Sequence, residues 1–363
     1  MASGSRDVYG VAALSCGRDH TLALLETGRA IGWGGNGSGR LPADVPQLCS
    51  TTAAPTRPVE VALRTRLAAI AAGYGTSLGL TERNEVAIWG ACPAGVGGRL
   101  EAVAAAVPQP VAAVPAACYV AAGEFQFVAI DAAGSIHSWG LDVDGALGRP
   151  VAALNAPPGP ILGLPPASRV AIGQSFMLAL TREGALYAWG SNAAGQLGLG
   201  HLEAVAEPAP VALPERVRAV AAGATHTLAI AGGGRVYAWG SNHLGQLGVG
   251  AAKYSTRPVA VDIPERIRAV AAGLHFSLAL SAAGNVYAWG WNGLGQLGLG
   301  DEGDRRRATR LPGLSGVRAI AAGQTHAAAA APGHLYGWGN NAAGQIGTAA
   351  ARQRAPFSFL MTS

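Results

Sequence analysis

The sequence predicts an all-β protein, a seven-bladed β-propeller of four-stranded antiparallel blades, and three observations carry that prediction. Trp-Gly pairs begin at positions 33, 89, 139, 189, 239, 289 and 338, at intervals of 56, 50, 50, 50, 50 and 49 residues. A glycine stands sixteen residues before each Trp, at 17, 73, 123, 173, 223 and 273, and fifteen before the last, at 323. No stretch offers a capped run of helical periodicity, because Gly and Pro interrupt the alanine-rich segments every few positions. A short four-stranded unit cannot bury both of its faces alone, and propellers of about four to eight blades solve this by stacking such sheets around a channel.

Each element of the unit has its own signal. An apolar triplet follows the anchor glycine: Leu22-Ala23-Leu24, Leu78-Gly79-Leu80, Val128-Ala129-Ile130, Leu178-Ala179-Leu180, Leu228-Ala229-Ile230, Leu278-Ala279-Leu280 and a diluted Ala328-Ala329-Ala330. A turn residue comes next, at Gly28, Asn84, Gly134, Gly184, Gly234, Gly284 and Gly333, and then "VYAWG" or a relative. Two apolar runs joined through Gly or Asn read as a β-hairpin, since those residues accept the positive φ of tight turns. Segments such as "ERVRAVAAG" before the hairpin and "RPVAVDIP" after it supply the inner and outer strands. The blades are expected at 8–60, 61–115, 116–166, 167–215, 216–265, 266–315 and 316–363, with residues 1–5 a tag or disordered. Each terminus completes its own blade or the two share one, and the sequence leaves both open. A Trp burying about 150–250 Å² contributes at most about 4–6 kcal/mol per blade, so seven copies in register read as inter-blade packing rather than seven sites.

Composition bounds the function. Half of the 363 residues are apolar and 13% are charged, which excludes a largely disordered chain. The net charge is +5, and Lys253 is the single lysine among 26 basic residues, a bias that does not read as a nucleic-acid footprint. Cys16, Cys49, Cys92 and Cys118 form neither a zinc pattern nor a disulfide framework and are expected to be reduced. No apolar leader or membrane-length run is present, so a soluble, cytoplasmic monomer is expected; a secreted form requires a signal peptide that cloning removed.

The segments "VAAGATHTLAIAGGGRVYAWGSNHLGQLGVG" at 220–250, "YAWGSNAAGQLGLG" at 187–200 and "YAWGWNGLGQLGLG" at 287–300 closely resemble the regulator of chromosome condensation repeat. The resemblance covers essentially the whole chain, most strongly repeats 4 to 7, and the chain is read as a bacterial member. Repeats 2 and 3 lack the Gln-Leu-Gly signature, and repeat 1 replaces it and adds six residues. The resemblance implies a seven-bladed propeller. It also implies three kinds of activity: guanine-nucleotide exchange on a small Ran-type GTPase, effector functions, or inhibition of a secreted enzyme such as a β-lactamase. The exchange factor's β-hairpin wedge has no clear counterpart here.

Strand direction places the loops after the anchor Gly and after Trp-Gly at one end of the propeller. The residues that vary there are Arg18-Asp19-His20, Tyr74-Gly75-Thr76, Glu124-Phe125-Gln126, Gln174-Ser175-Phe176, Ala224-Thr225-His226, Leu274-His275-Phe276 and Gln324-Thr325-His326. Their aromatics suit a protein-binding rim, unless the third residue of each triplet instead starts the next strand and packs inward. Trp291 stands where repeats 4 and 5 have Ser191 and Ser241, so it is surplus to the packing set. His243, Lys253, Tyr254 and the run "DEGDRRRATR" at 301–310, with Arg305 and Arg306, extend the candidate rim toward a charged partner.

Enzymatic readings fare poorly. His20, His226 and His326 share one repeat position, but they come from blades too far apart for one metal, and the resemblance implies a structural His there. "GWGGNG" at 32–37 matches a dinucleotide fingerprint without the helix that would meet a pyrophosphate. Asn36-Gly37-Ser38 is a formal glycosylation sequon. No cofactor, metal, nucleic acid or membrane is expected; a non-enzymatic protein-binding propeller is.

Overall fold

The computed structural model describes residues 10–36, 58–61, 65–92, 103–348 and 352–360. Residues 1–5, Gly37 and Ser38 of the sequon, and Cys49 lie outside them. Seven four-stranded antiparallel sheets form, each from four consecutive strands. They span 11–60, 67–110, 117–160, 167–211, 217–260, 267–310 and 319–360. Blade 5 shows the pattern: inner strand Val217–Ala222, then His226–Ala231, Arg235–Ser241 and the outer strand Tyr254–Ala260. Each terminal segment completes its own blade, since Val11–Cys16 belongs to the first sheet and Arg352–Leu360 to the last. Among the described residues no helix is long and apolar enough to cross a membrane.

The Trp-Gly pair is a bulge. In six blades the register between third and outer strands shifts across this pair, as between Ala238 and Gly240 in blade 5. The glycine carries φ 100° at Gly240, and a Cβ there would stand 2.4 Å from the Thr225 carbonyl oxygen, so only glycine fits. The Trp before it is at most 1% exposed in every blade.

Each Trp packs on the blade before its own. Trp239 lies in a cluster with Leu178, Leu180 and Leu197 of blade 4, and Trp289 in one with Leu228, Ile230 and Leu247 of blade 5. The indole Nε1 also donates across the interface: Trp189 to the Ala146 carbonyl, Trp239 to Gln196, Trp289 to Gln246 and Trp338 to Gln296, all at 2.9 Å. Trp33 packs on Ala330 and Leu335, so the first blade closes the ring on the last.

The anchor glycines serve close approach. A Cβ on Gly223 would stand 2.5 Å from the Gly273 carbonyl oxygen and 2.2 Å from His226 Cε1. The glycine therefore admits both the next blade's backbone and the ring of its own blade's His226. Gly17, Gly273 and Gly323 do the same for His20, Phe276 and His326, and Gly173 makes room for the Phe176 ring.

Candidate functional site

The loops after the anchor Gly and after Trp-Gly meet at one end and are tied together. The N–H that follows Trp-Gly donates to the middle residue of the triplet: Gly35 to Asp19, Leu141 to Phe125, Ser191 to Ser175, Ser241 to Thr225, Trp291 to His275 and Asn340 to Thr325, at 2.7–2.9 Å. A rim built this way is held at fixed spacing by the sheets below.

Six residues assigned to that rim from sequence are not on it. His20, Gln126, Phe176, His226, Phe276 and His326 are at most 1% exposed. Each is the first residue of its second strand, where the pleat turns the side chain into the blade interface. The histidines link blades there: His226 Nε2 lies 3.0 Å from Ser277 Oγ, and His20 Nε2 3.0 Å from Ser77 Oγ. Ser277 Oγ spends its proton on the Gln246 carbonyl at 2.8 Å, so His226 is the donor to it. Burial holds His226 and His326 neutral, their pKa pushed down to about 3.

The charged run 301–310 is likewise largely committed. Arg305–Arg310 is the outer strand of blade 6. Arg305 pairs with Asp301 at 2.5 Å, Asp304 accepts the Asn292 N–H at 2.8 Å, and Glu302 accepts from Arg352 and Arg354 of blade 7 at 2.9 Å. Arg306 donates to the His243 carbonyl at 3.2 Å. The run laces neighbouring blades together instead of standing free as a steering loop.

What remains at the rim is a smaller set. Arg18 lies 4.3 Å above the Tyr74 ring, and Tyr74 meets Phe125 with ring centroids 5.6 Å apart. This row crosses blades 1 to 3 and ends on Phe125, 39% exposed. On blade 6, half-buried Trp291 meets His275 edge-on at 6.5 Å, and desolvation lowers the His275 pKa. Glu124 and Gln324 are half-buried and Gln174 is exposed, all at the mouth. Exposed His243 and Tyr254 lie further out. Leu154 and Leu202, 63% and 42% exposed, precede the outer strands of blades 3 and 4 as Tyr254 begins that of blade 5. Sequence reasoning missed both leucines; lone apolar residues in polar loops are too common to be a signal.

Inside the mouth lies a cavity of about 350 Å³. Its wall is the last turn of the inner strands, mostly Ala and Gly, with buried Cys16, whose thiol burial pushes up to about 12. Cys16 and Cys118 are free. Backbone bonds run around the mouth from blade to blade: Arg18 N–H to Gly73, Tyr74 to Gly123, Gln174 to Ala224, Ala224 to Leu274, Leu274 to Gln324 and Gln324 to Gly17, at 3.0–3.3 Å. Between blades 3 and 4 none forms among the described residues. Ile172 Cγ2 stands at Gly123 there, where five of the other junctions bring in a glycine carbonyl, and Ser175 is left-handed with φ 59°.

The long loop after Trp-Gly is scaffold. Asn242 Oδ1 accepts the Leu247 N–H at 2.9 Å while its Nδ2 donates to the Gly250 and Ala252 carbonyls at 3.1 and 2.5 Å. Gln246 Oε1 accepts the Leu244 N–H at 3.0 Å. Asn192, Asn292 and Asn341 repeat the carbonyl-side contact. Among the described residues no group of three His, Cys, Asp or Glu is placed to hold a metal ion.

A seven-bladed propeller with a rigid, aromatic-bearing loop face is thereby defined. Residues 160–359 match the RCC1-like domain and residues 11–40 the regulator of chromosome condensation (RCC1) repeat, and the chain belongs to the RCC1-like family. The fold is similar to that of human WBSCR16, at TM-score 0.80 and 24% identity over 91% of this chain and 93% of that one. It is also similar to Prp20p from Saccharomyces cerevisiae, at TM-score 0.74 and 25% identity over 86% and 80%. No curated protein sequence matches the chain.

Proposed function

We propose that the protein is a non-enzymatic binding propeller that holds a protein partner on the face carrying the triplet loops and the loops after Trp-Gly. The observation that carries this reading is the row Arg18, Tyr74, Phe125, which sets rigid aromatic surface across three blades at the channel mouth. Aromatic and arginine side chains on a rigid frame are the residues that dominate protein interfaces. Trp291 and His275 extend the face on blade 6. The test is capture of partners by the protein and by Phe125→Ala and Trp291→Ala variants; partners retained at unchanged affinity by both refute the choice of face.

A second reading, guanine-nucleotide exchange on a small GTPase, is favoured by the similarity to Prp20p, which has binding properties toward Gsp1p and histones. Its test is nucleotide release from a panel of small GTPases with and without the protein, and no acceleration across the panel removes it.

A further inference from the structure

We infer that the far end of the channel, opposite the rim, is a binding site for a small oligophosphate gripped by Arg218, Arg268 and Arg318. Each inner strand ends beside its anchor glycine, at the rim, so its first residues stand at the opposite end. In six blades a register shift falls at the second residue of the inner strand, as between Val217 and Ala219 or Ile267 and Ala269. A bulge of this kind leaves one residue unpaired and re-aims its side chain. That residue is Ala12, Ala68, Cys118 and Ser168 in blades 1 to 4, then Arg218 and Arg268. Arg318 holds the same place, five residues before its anchor glycine. All three arginines are exposed and come from consecutive blades. Arg268 spans one of the junctions, its Nη2 donating to the Val317 and Arg318 carbonyls at 3.0 and 2.8 Å.

No carboxylate answers this charge among the described residues. Arg218 and Arg318 make no side-chain hydrogen bond or ion pair there, and Arg268 commits only Nη2, keeping its Nε and Nη1 donors. The hairpin turns of blades 5 and 6 lie beside the inner strands, with the Gly232 N–H on the Arg216 carbonyl and the Ala282 N–H on the Arg266 carbonyl. Gly232, Ala282 and Pro332 stand there where blades 1 and 2 have Glu26 and Glu82. Nearby acids are turned elsewhere: Glu265 accepts from Asn285 and Tyr287, and Glu215 pairs with Arg235. With Asp262 they line a hollow whose wall includes none of the three arginines. Across the ring the small residues of blades 1 to 4 leave room for an occupant, and exposed Arg169, next to Ser168, adds to the charge. A planar carboxylate fits one guanidinium fork, whereas a tetrahedral phosphate presents oxygens in several directions and accepts from more than one. Three arginines along an arc therefore suit a short chain of phosphates.

The probe is sodium tripolyphosphate, titrated by calorimetry into the whole protein at about 0.1 M salt. One saturable site is expected. Arg218→Gln and Arg318→Gln remove no bond of the fold, so each should fold as the parent does while weakening binding roughly three- to tenfold. The two together should weaken it more than either alone. Arg257→Gln, on the outer strand of blade 5, should leave binding unchanged. No saturable binding, or binding undiminished in the double variant, overturns the site. Equal weakening by Arg257→Gln overturns it as well, since cationic surface anywhere would then suffice. Citrate or a hexaglutamate peptide that binds as tightly as tripolyphosphate overturns the phosphate assignment in favour of carboxylates.

Discussion

His326 Nε2 lies 2.9 Å from Thr21 Oγ1, a contact between residues 305 positions apart that joins the last blade to the first. The Thr21 hydroxyl gives its proton to the Gln345 carbonyl at 2.9 Å, so the imidazole donates to Thr21. Both partners sit on blade 7, and the hydroxyl that satisfies them sits on blade 1.

Thr21→Val should therefore leave the buried His326 donor unmet and cost about 1–3 kcal/mol. Thr227→Val is the comparison. Thr227 donates to the Gln196 carbonyl at 2.8 Å, but that carbonyl also accepts the Trp239 Nε1–H and the blade before it presents Phe176 instead of a histidine, so no group is orphaned and the loss should be smaller, about 1 kcal/mol or less. Urea unfolding of the two variants checks this, and equal losses contradict it.

Anchor glycines and turn glycines should behave oppositely. Gly223→Ala puts a methyl 2.5 Å from a backbone oxygen and should cost more than about 2 kcal/mol. Gly233 has nothing within 4 Å of an added Cβ, so Gly233→Ala should be neutral or stabilise by up to about 1 kcal/mol. Thermal midpoints of the pair decide the matter.

Acid should loosen the ring well before the carboxylates titrate. His226 and His326 have pKa about 3 in the fold, against about 6.5 when exposed, so below pH 6.5 the unfolded chain binds protons that the folded chain refuses. Their contribution is complete above that pH and is lost as pH falls toward 3. From pH 7 to 5 the pair should remove on the order of 4 kcal/mol. Denaturant midpoints across that range measure the slope, and replacing both histidines with glutamine should flatten it.

The two kinds of tryptophan separate scaffold from surface. Trp239 is fully buried with its Nε1 bonded to the Gln196 carbonyl, so Trp239→Ala should cost about 3–5 kcal/mol. Trp291 is half-buried, and Trp291→Ala should cost less than about 1.5 kcal/mol while weakening partner capture. A large stability loss at Trp291 would make it a packing residue.

The propeller was legible in the sequence because its periodic residues each meet a constraint that repeats. Trp239 needs the preceding blade, Gly240 needs a positive φ, and Gly223 needs room for a neighbour's carbonyl. The rim was less legible. Phe125 and Phe176 hold adjacent slots of consecutive triplets, and a one-residue offset in the pleat separates an exposed ring from a buried one. The histidine slot was misread because its partner, such as Ser277 for His226, lies in the next repeat, 51 positions on. The open junction at Glu124 was missed, although Ile172 stands where five other repeats have Ala before the anchor glycine and its side chain reaches Gly123.

Every sheet consists of consecutive strands, and each outer strand leads to the next inner strand at the end of the barrel away from the rim. The gap between the last outer strand and the first inner strand is thus one more such connection, left unjoined. Linking it and cutting instead between 211 and 217 would preserve all seven sheets. The order of blades along the gene is a matter of where the circle was opened, and circularly permuted chains should reach the same architecture from any of its seven starting points.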